Sequence, residues 1–128
     1  MTKSRVIMFL SMFNFINFLG CAQQDKDSTM TVQDLKKLMK DDSTLVILDV
    51  TTPAELVGPL DKIDNVINIP IQELENRAGE LSEYKDKEIA VICRSGNRSN
   101  TGTQILRENG YKANNVLGAM IEYRKQAN

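Results

Sequence analysis

Six residues, Cys93-Arg94-Ser95-Gly96-Asn97-Arg98, join a short apolar run ending at Ile92 to a stretch with helical character beginning at Ser99. A thiol is a useful nucleophile only as its thiolate. A cysteine at the end of a buried strand can emerge at the edge of a sheet. If the following loop curls around the sulfur, successive backbone N–H groups make an anion-binding nest. Gly96 permits the curl. The start of the next helix brings unpaired N–H groups with partial positive charge. Arg94 and Arg98 add two cations, and the backbone of Ser95 to Ser99 supplies the rest of the cradle. Such a pocket suits a thiolate, or a persulfide whose outer sulfur is anionic. The plainer reading, an inert buried cysteine, does not account for this company.

Two acids are also candidates. Asp49 and Glu55 flank a loop after an earlier strand and could orient the Cys93 loop by hydrogen bonds. The alternative for Asp49 is a loop cap. For Glu55 it is a solvated acid in the first turn of a helix, which is the favoured reading there.

Composition narrows the chemistry. The chain of 128 residues has no histidine, so His-based triads and His-ligated metals are excluded. Two cysteines are too few for a Cys-rich zinc site. No metal and no cofactor is therefore expected. A net charge of −1 gives no reason to expect nucleic acid as a partner.

The elements that position these residues can be read from residue 31 onward. Thr31-Val-Gln-Asp34 has capping-box spacing, and Val32, Leu35, Leu38 and Met39 recur at helical intervals. Leu45 to Leu48 is an unbroken apolar run, which suits a strand buried on both faces of a parallel sheet. Thr52-Pro53 opens a short helix through about Val57. Val66–Ile69 reads as a strand stopped by Pro70, and Ile71–Ala78 as a helix ended by Gly79. Glu88–Ile92 is a third strand, and Ser99–Asn109 a helix with Gly110 at its C′ position. Gly102 inside that helix costs roughly 1 kcal/mol relative to Ala, tolerable if the helix must approach the sheet closely. Asn115–Leu117 is a last strand and Met120–Lys125 a closing helix. Alternating strands and helices predict an α/β fold with a mostly parallel central sheet flanked by helices, in a single domain over 31–128. Sites in such folds lie beyond the carboxyl ends of the strands, where residues 49–58 and 93–98 sit.

The first 20 residues are of another kind. Lys3 and Arg5 precede a mostly apolar run from Val6 to Leu19, and all four Phe residues fall here. The run is short for a membrane span and suits a signal peptide. Residues 21–30 are largely polar and read as a flexible tether.

Two resemblances follow from these residues. Phe18-Leu19-Gly20-Cys21 resembles the lipobox of bacterial lipoproteins, with Phe18 where Leu is usual. That resemblance implies lipid on Cys21 and a membrane as partner. With Ala22 next, it implies the periplasm-facing outer membrane where a cell has one, otherwise the outer face of the cell membrane. CRSGNRS resembles the active-site loop of single-domain rhodaneses, the sulfurtransferases. The likeness extends over residues 31–124: Leu48-Asp-Val-Thr-Thr-Pro-Ala-Glu55, Asn68-Ile-Pro70, Asn109-Gly-Tyr111 and Asn115-Val-Leu-Gly-Ala119 are similar to family motifs. The resemblance implies that Cys93 is the catalytic residue. It would take sulfur from a small donor such as thiosulfate or a persulfide and pass it to an external thiol or protein acceptor. Arg94, Ser95, Gly96, Asn97, Arg98 and Ser99 would bind the donor.

The chain also departs from the family pattern. Thr51 stands for the family's Arg, which removes an expected partner of Asp49 and Glu55. Residues 58–70 are longer by three than the family's segment and lack its His. Gly118-Ala119 replaces a glycine pair, and Tyr123 a Trp. A phosphatase or arsenate-reductase reading is a rival, but such loops place an Arg after five intervening residues and Arg98 follows after four. A non-catalytic binding module on the membrane is the other rival, favoured by Thr51 and the altered 58–70 segment.

Overall fold

The computed structural model describes residues 28–126. Over these residues the strands are β1 (Thr29–Met30), β2 (Val46–Asp49), β3 (Ile67–Asn68), β4 (Glu88–Ile92) and β5 (Lys112–Val116). The α-helices are α1 (Val32–Asp41), α2 (Pro53–Leu56), α3 (Ile71–Arg77), α4 (Asn97–Glu108) and α5 (Ala119–Lys125). The sheet order is β1-β5-β4-β2-β3, and every described pairing is parallel. The α/β fold expected from the apolar runs is the fold observed.

A parallel sheet covered on both faces needs strands without polar alternation. Val46, Ile47 and Leu48 of β2 and Ile89 to Ile92 of β4 are accordingly buried, and they form the middle of the core. Connections run one way across the sheet up to β3 and return afterwards. Right-handed crossovers then place α1 on one face and α3 and α4 on the other. The packing of α1 on α5 and of α3 on α4 agrees with this arrangement.

Local signals explain most boundaries. The Thr31 hydroxyl accepts from Asp34 N–H at 3.1 Å, and the Asp34 carboxylate accepts from Thr31 N–H at 3.3 Å, completing the capping box of α1. At the end of α4, Gly110 has φ +86, Gly110 N–H reaches Arg107 C=O and Tyr111 N–H reaches Leu106 C=O. That is a Schellman closure, and it requires the left-handed conformation glycine takes freely. Gly102 lies against the sheet as its position suggested. A Cβ there would stand 3.3 Å from Leu74 Cδ2 and Val91 Cγ1, and 3.4 Å from Val50 Cγ1.

Four expectations are corrected. Thr29 and Met30 are not tether: they form β1, paired with Asn115 and Val116 of β5. The ordered domain therefore includes residues assigned to the 21–30 linker, and Cys21 with the 1–20 leader lies outside the described residues. Gly79 does not stop the chain's helical course, which continues as a 3₁₀ segment over Ala78–Tyr84. The helix after the cysteine loop starts at Asn97 instead of Ser99, so Asn97 and Arg98 belong to its first turn. The last strand begins three residues earlier than expected, at Lys112.

Candidate active site

β2 and β4 are neighbours whose following connections leave in opposite directions, to β3 and to β5. The crevice beyond their carboxyl ends is where open α/β sheets place ligands. The Asp49–Gly58 stretch follows β2 there and the Cys93–Arg98 stretch follows β4.

β4 delivers Cys93 to the sheet edge, 1% exposed. The backbone turns at once, and Gly96 adopts φ +109. That conformation, unfavourable for a residue with a Cβ, aims the Gly96 N–H at the Cys93 sulfur at 3.0 Å. The Ser99 hydroxyl lies 3.2 Å from the same sulfur. The loop carbonyls are tied from the other side: Met120 N–H donates to Cys93 C=O at 3.0 Å and Ile121 N–H to Arg94 C=O at 3.1 Å. The start of α5 thus fixes the loop, and Gly118 and Ala119, both with positive φ, make the turn that allows it. The sequence suggests a nest of successive N–H groups; among the described hydrogen bonds the turn brings one N–H, that of Gly96, onto the sulfur.

The arginines behave differently from each other. Arg98 forms a bidentate pair with Glu55, Nη1 to Oε2 at 2.9 Å and Nη2 to Oε1 at 2.8 Å. Glu55 also accepts from the Thr52 N–H at 2.8 Å and the Thr52 hydroxyl at 3.0 Å. Hydrogen bonds from Arg98, then from the Thr52 backbone, hold the Glu55 carboxyl down at about 2, against an ordinary 4.5, and outweigh its partial burial. The Arg98 guanidinium is raised in return. Glu55 is therefore a first-turn acid of α2 that is paired instead of solvated: it clamps the first turn of α4 to α2. Arg94, half-buried, has no side-chain hydrogen bond or ion pair among the described residues, and Ser95 and Asn97 are exposed at the loop's tip.

Asp49 is buried, 1% exposed, and accepts from Thr51 N–H at 2.9 Å and the Thr51 hydroxyl at 2.6 Å. It is a loop cap, and its described hydrogen bonds do not reach the Cys93 loop. The loss of Arg at position 51 leaves neither acid unpartnered: Thr51 itself holds Asp49, and Arg98 holds Glu55.

Two asparagines were missed in the sequence. Asn68 donates to the carbonyls of Asp49 at 3.0 Å and Thr51 at 2.8 Å, holding the turn after β2. Asn115, 2% exposed, takes a hydrogen bond from the Ser99 hydroxyl at 2.6 Å. The available signal was an amide within an apolar strand, buried at Asn115 and half-buried at Asn68, which needs partners.

The comparisons with known proteins agree with this geometry. The model of the rhodanese-like domain family matches residues 31–125, and the chain belongs to that family. It is 27% identical over 94 residues to a sulfurtransferase of Allochromatium vinosum, covering 73% of this chain and 84% of that one. It is 35% identical over 95 residues to a candidate sulfur carrier protein of Bacillus subtilis, covering 73% of this chain and about half (49%) of that longer protein. Among solved structures, a rhodanese-related protein of Thermoplasma volcanium superposes with a TM-score of 0.69 at 33% identity, over 77% of this chain and 92% of that one. The human single-domain sulfurtransferase TSTD1 gives 0.67 at 25% identity, over 79% and 98%.

Proposed function

We propose that the protein moves sulfane sulfur from thiosulfate or a small persulfide to a nucleophilic acceptor through a persulfide on Cys93. The observation that carries this reading is the Cys93 sulfur at the sheet edge, held by the Gly96 N–H and beside the Ser99 hydroxyl. The thiolate attacks the sulfane sulfur of the donor; with thiosulfate, the S–S bond breaks and sulfite leaves with its electron pair. The acceptor then attacks the outer sulfur of the persulfide and the thiolate leaves. No general base is needed once the thiolate exists, so the absence of histidine is no obstacle. Arg94, with no internal partner among the described residues, is the cation an anionic donor meets first; Arg98 assists from within its pair with Glu55. A phosphate monoester would require the fork of Arg98, which Glu55 occupies.

Cys93 is the cysteine among the described residues, so no second thiol there can resolve the persulfide. The acceptor is external: cyanide in an assay, a thiol or protein in the cell. The leader residues support a further part of this reading, export and lipid attachment at Cys21, which would hold the domain at a membrane surface outside the cytoplasm. Incorporation of labelled fatty acid, lost in Cys21→Ser, tests that part.

The test of the reaction is mass. After incubation with thiosulfate or a persulfide, the full chain is digested and the peptide Glu88–Arg94 examined. A gain of one sulfur atom, reversed by cyanide and absent in Cys93→Ser, is the expected result. An unchanged mass with every donor overturns the proposal.

A further inference from the structure

Ser99 carries one hydroxyl proton, and three atoms stand within its reach. Asn115 Oδ1 is at 2.6 Å, Gly96 C=O at 3.1 Å and Cys93 Sγ at 3.2 Å. Ser99 and Asn115 are buried, 0% and 2% exposed, so bulk water does not compete for these bonds. With its proton on Asn115, Ser99 can only accept from the sulfur, which suits Cys93 as a neutral thiol.

A thiolate reverses the requirement. It has no proton to donate, and it is stabilised by a hydroxyl aimed at it. Turning the Ser99 proton to sulfur leaves two oxygens 2.6 Å apart with no hydrogen between them. A half-turn of the Asn115 amide removes the conflict, because a side-chain amide presents an acceptor on one side and a donor on the other. Nδ2–H then donates to Ser99 Oγ, and Ser99 O–H donates to sulfur. The turn gives up a long contact, Nδ2 to Gly96 C=O at 3.4 Å. Gly96 C=O keeps the Asn100 N–H at 3.1 Å. Asn115 also lines a pocket of about 170 Å³ with Gly96, Asn97 and Asn100.

We propose that Asn115 is a positioning residue that sets the charge state of the Cys93 sulfur through Ser99, by turning its amide from acceptor to donor. The inference rests on Cys93 being the reacting atom, as proposed above. On ionisation the Cys93 proton passes to solvent base. Ser99 keeps its proton, and the amide rotates without gaining or losing one. Loading with anionic sulfur and discharge back to thiolate both require the donor orientation. The resting thiol favours the acceptor orientation.

Alkylation tests this without any sulfur transfer. The Cys93 thiolate displaces iodide from iodoacetamide, and the rate against pH is read on the peptide Glu88–Arg94 of the full chain. Asn115→Asp puts an acceptor-only carboxylate beside Ser99 and moves the midpoint of alkylation up by about one pH unit, which slows the reaction about tenfold at any pH well below both midpoints. In a Ser99→Ala chain the same substitution moves the midpoint less than half as far, because its route to the sulfur is gone. Equal shifts in both chains mean that Asp acts as a direct charge, and overturn the proposal. An unshifted midpoint in the Ser99 chain overturns it as well. If Asn115→Asp does not fold, Asn115→Leu, which removes both donor and acceptor at similar volume, must shift the midpoint in the Ser99 chain and move it less than half as far in the Ser99→Ala chain; no shift in the first, or equal shifts in both, is equally fatal. A chain that alkylates as expected yet never gains sulfur would sink the proposed function and leave this inference standing.

Discussion

Removing the negative charge at Glu55 is the most informative single change. Glu55→Gln preserves shape and the bonds to Thr52 that an amide can make, and it takes away the ionic half of the clamp on Arg98. The Glu55 carboxyl titrates at about 2 in the folded chain against an ordinary 4.5. By linkage, such a depression corresponds to about 3 kcal/mol of stability at neutral pH. The Glu55 side chain is 25% exposed and that of Arg98 33%, so solvent screens the pair. Screening reduces the expected effect to about 1–2 kcal/mol. The folded value is the lower one, so this stability is fully present above about 4.5 and is lost as pH falls through the interval down to about 2. Urea unfolding of both proteins at a series of pH values gives the check. At pH 7 the wild type should exceed Glu55→Gln by about 1–2 kcal/mol, and the curves should converge toward pH 2, where protonated Glu resembles Gln. A gap that persists unchanged to pH 2, or no gap at pH 7, refutes the clamp as a source of stability.

Three further outcomes are expected. Gly102→Ala adds a methyl 3.3–3.4 Å from Leu74, Val91 and Val50; overpacking of about 1–3 kcal/mol exceeds the helix gain of roughly 1 kcal/mol, so thermal unfolding should show a lower Tm. Gly96→Ala forces a Cβ into φ +109 and moves the N–H off sulfur; about 1–3 kcal/mol of strain and an at least tenfold slower gain of sulfur should be read by unfolding and mass. Asn68→Ala leaves the Thr51 carbonyl without its side-chain donor while Asp49 C=O keeps Ile69 N–H; a loss of about 1–3 kcal/mol, with faster hydrogen exchange in the 49–52 loop, is expected.

The fold was legible because its central strands are unbroken apolar runs, and Leu45 to Leu48 has no other economical use than the middle of a parallel sheet. Cys93 was legible because its neighbours form a chemical pattern within six residues. The rest depends on partners far apart in sequence. β1 is two residues long and exists only by pairing with β5, so no local period announces Thr29 and Met30. Glu55 carries a first-turn signal that fits a solvated acid equally well, and only the fold brings it to Arg98, 43 residues on. The same holds for Asn115 and Ser99, 16 residues apart. Thr51 looked like a loss when set beside the family's Arg, yet a hydroxyl two residues after Asp49 satisfies that carboxylate locally.

The tie between α5 and the cysteine loop has a consequence for the order of assembly. The Cys93 and Arg94 carbonyls receive the N–H groups of Met120 and Ile121, which are made only after the whole cysteine loop and α4. β1, the earliest of the described elements in the chain, must also wait for β5 before it finds a partner. Contacts of such long sequence separation form late and slowly. Until they form, the thiol sits on an unfinished loop, open to whatever oxidant the compartment holds. The chain therefore gains from remaining reduced, or unfolded and escorted, until α5 has docked.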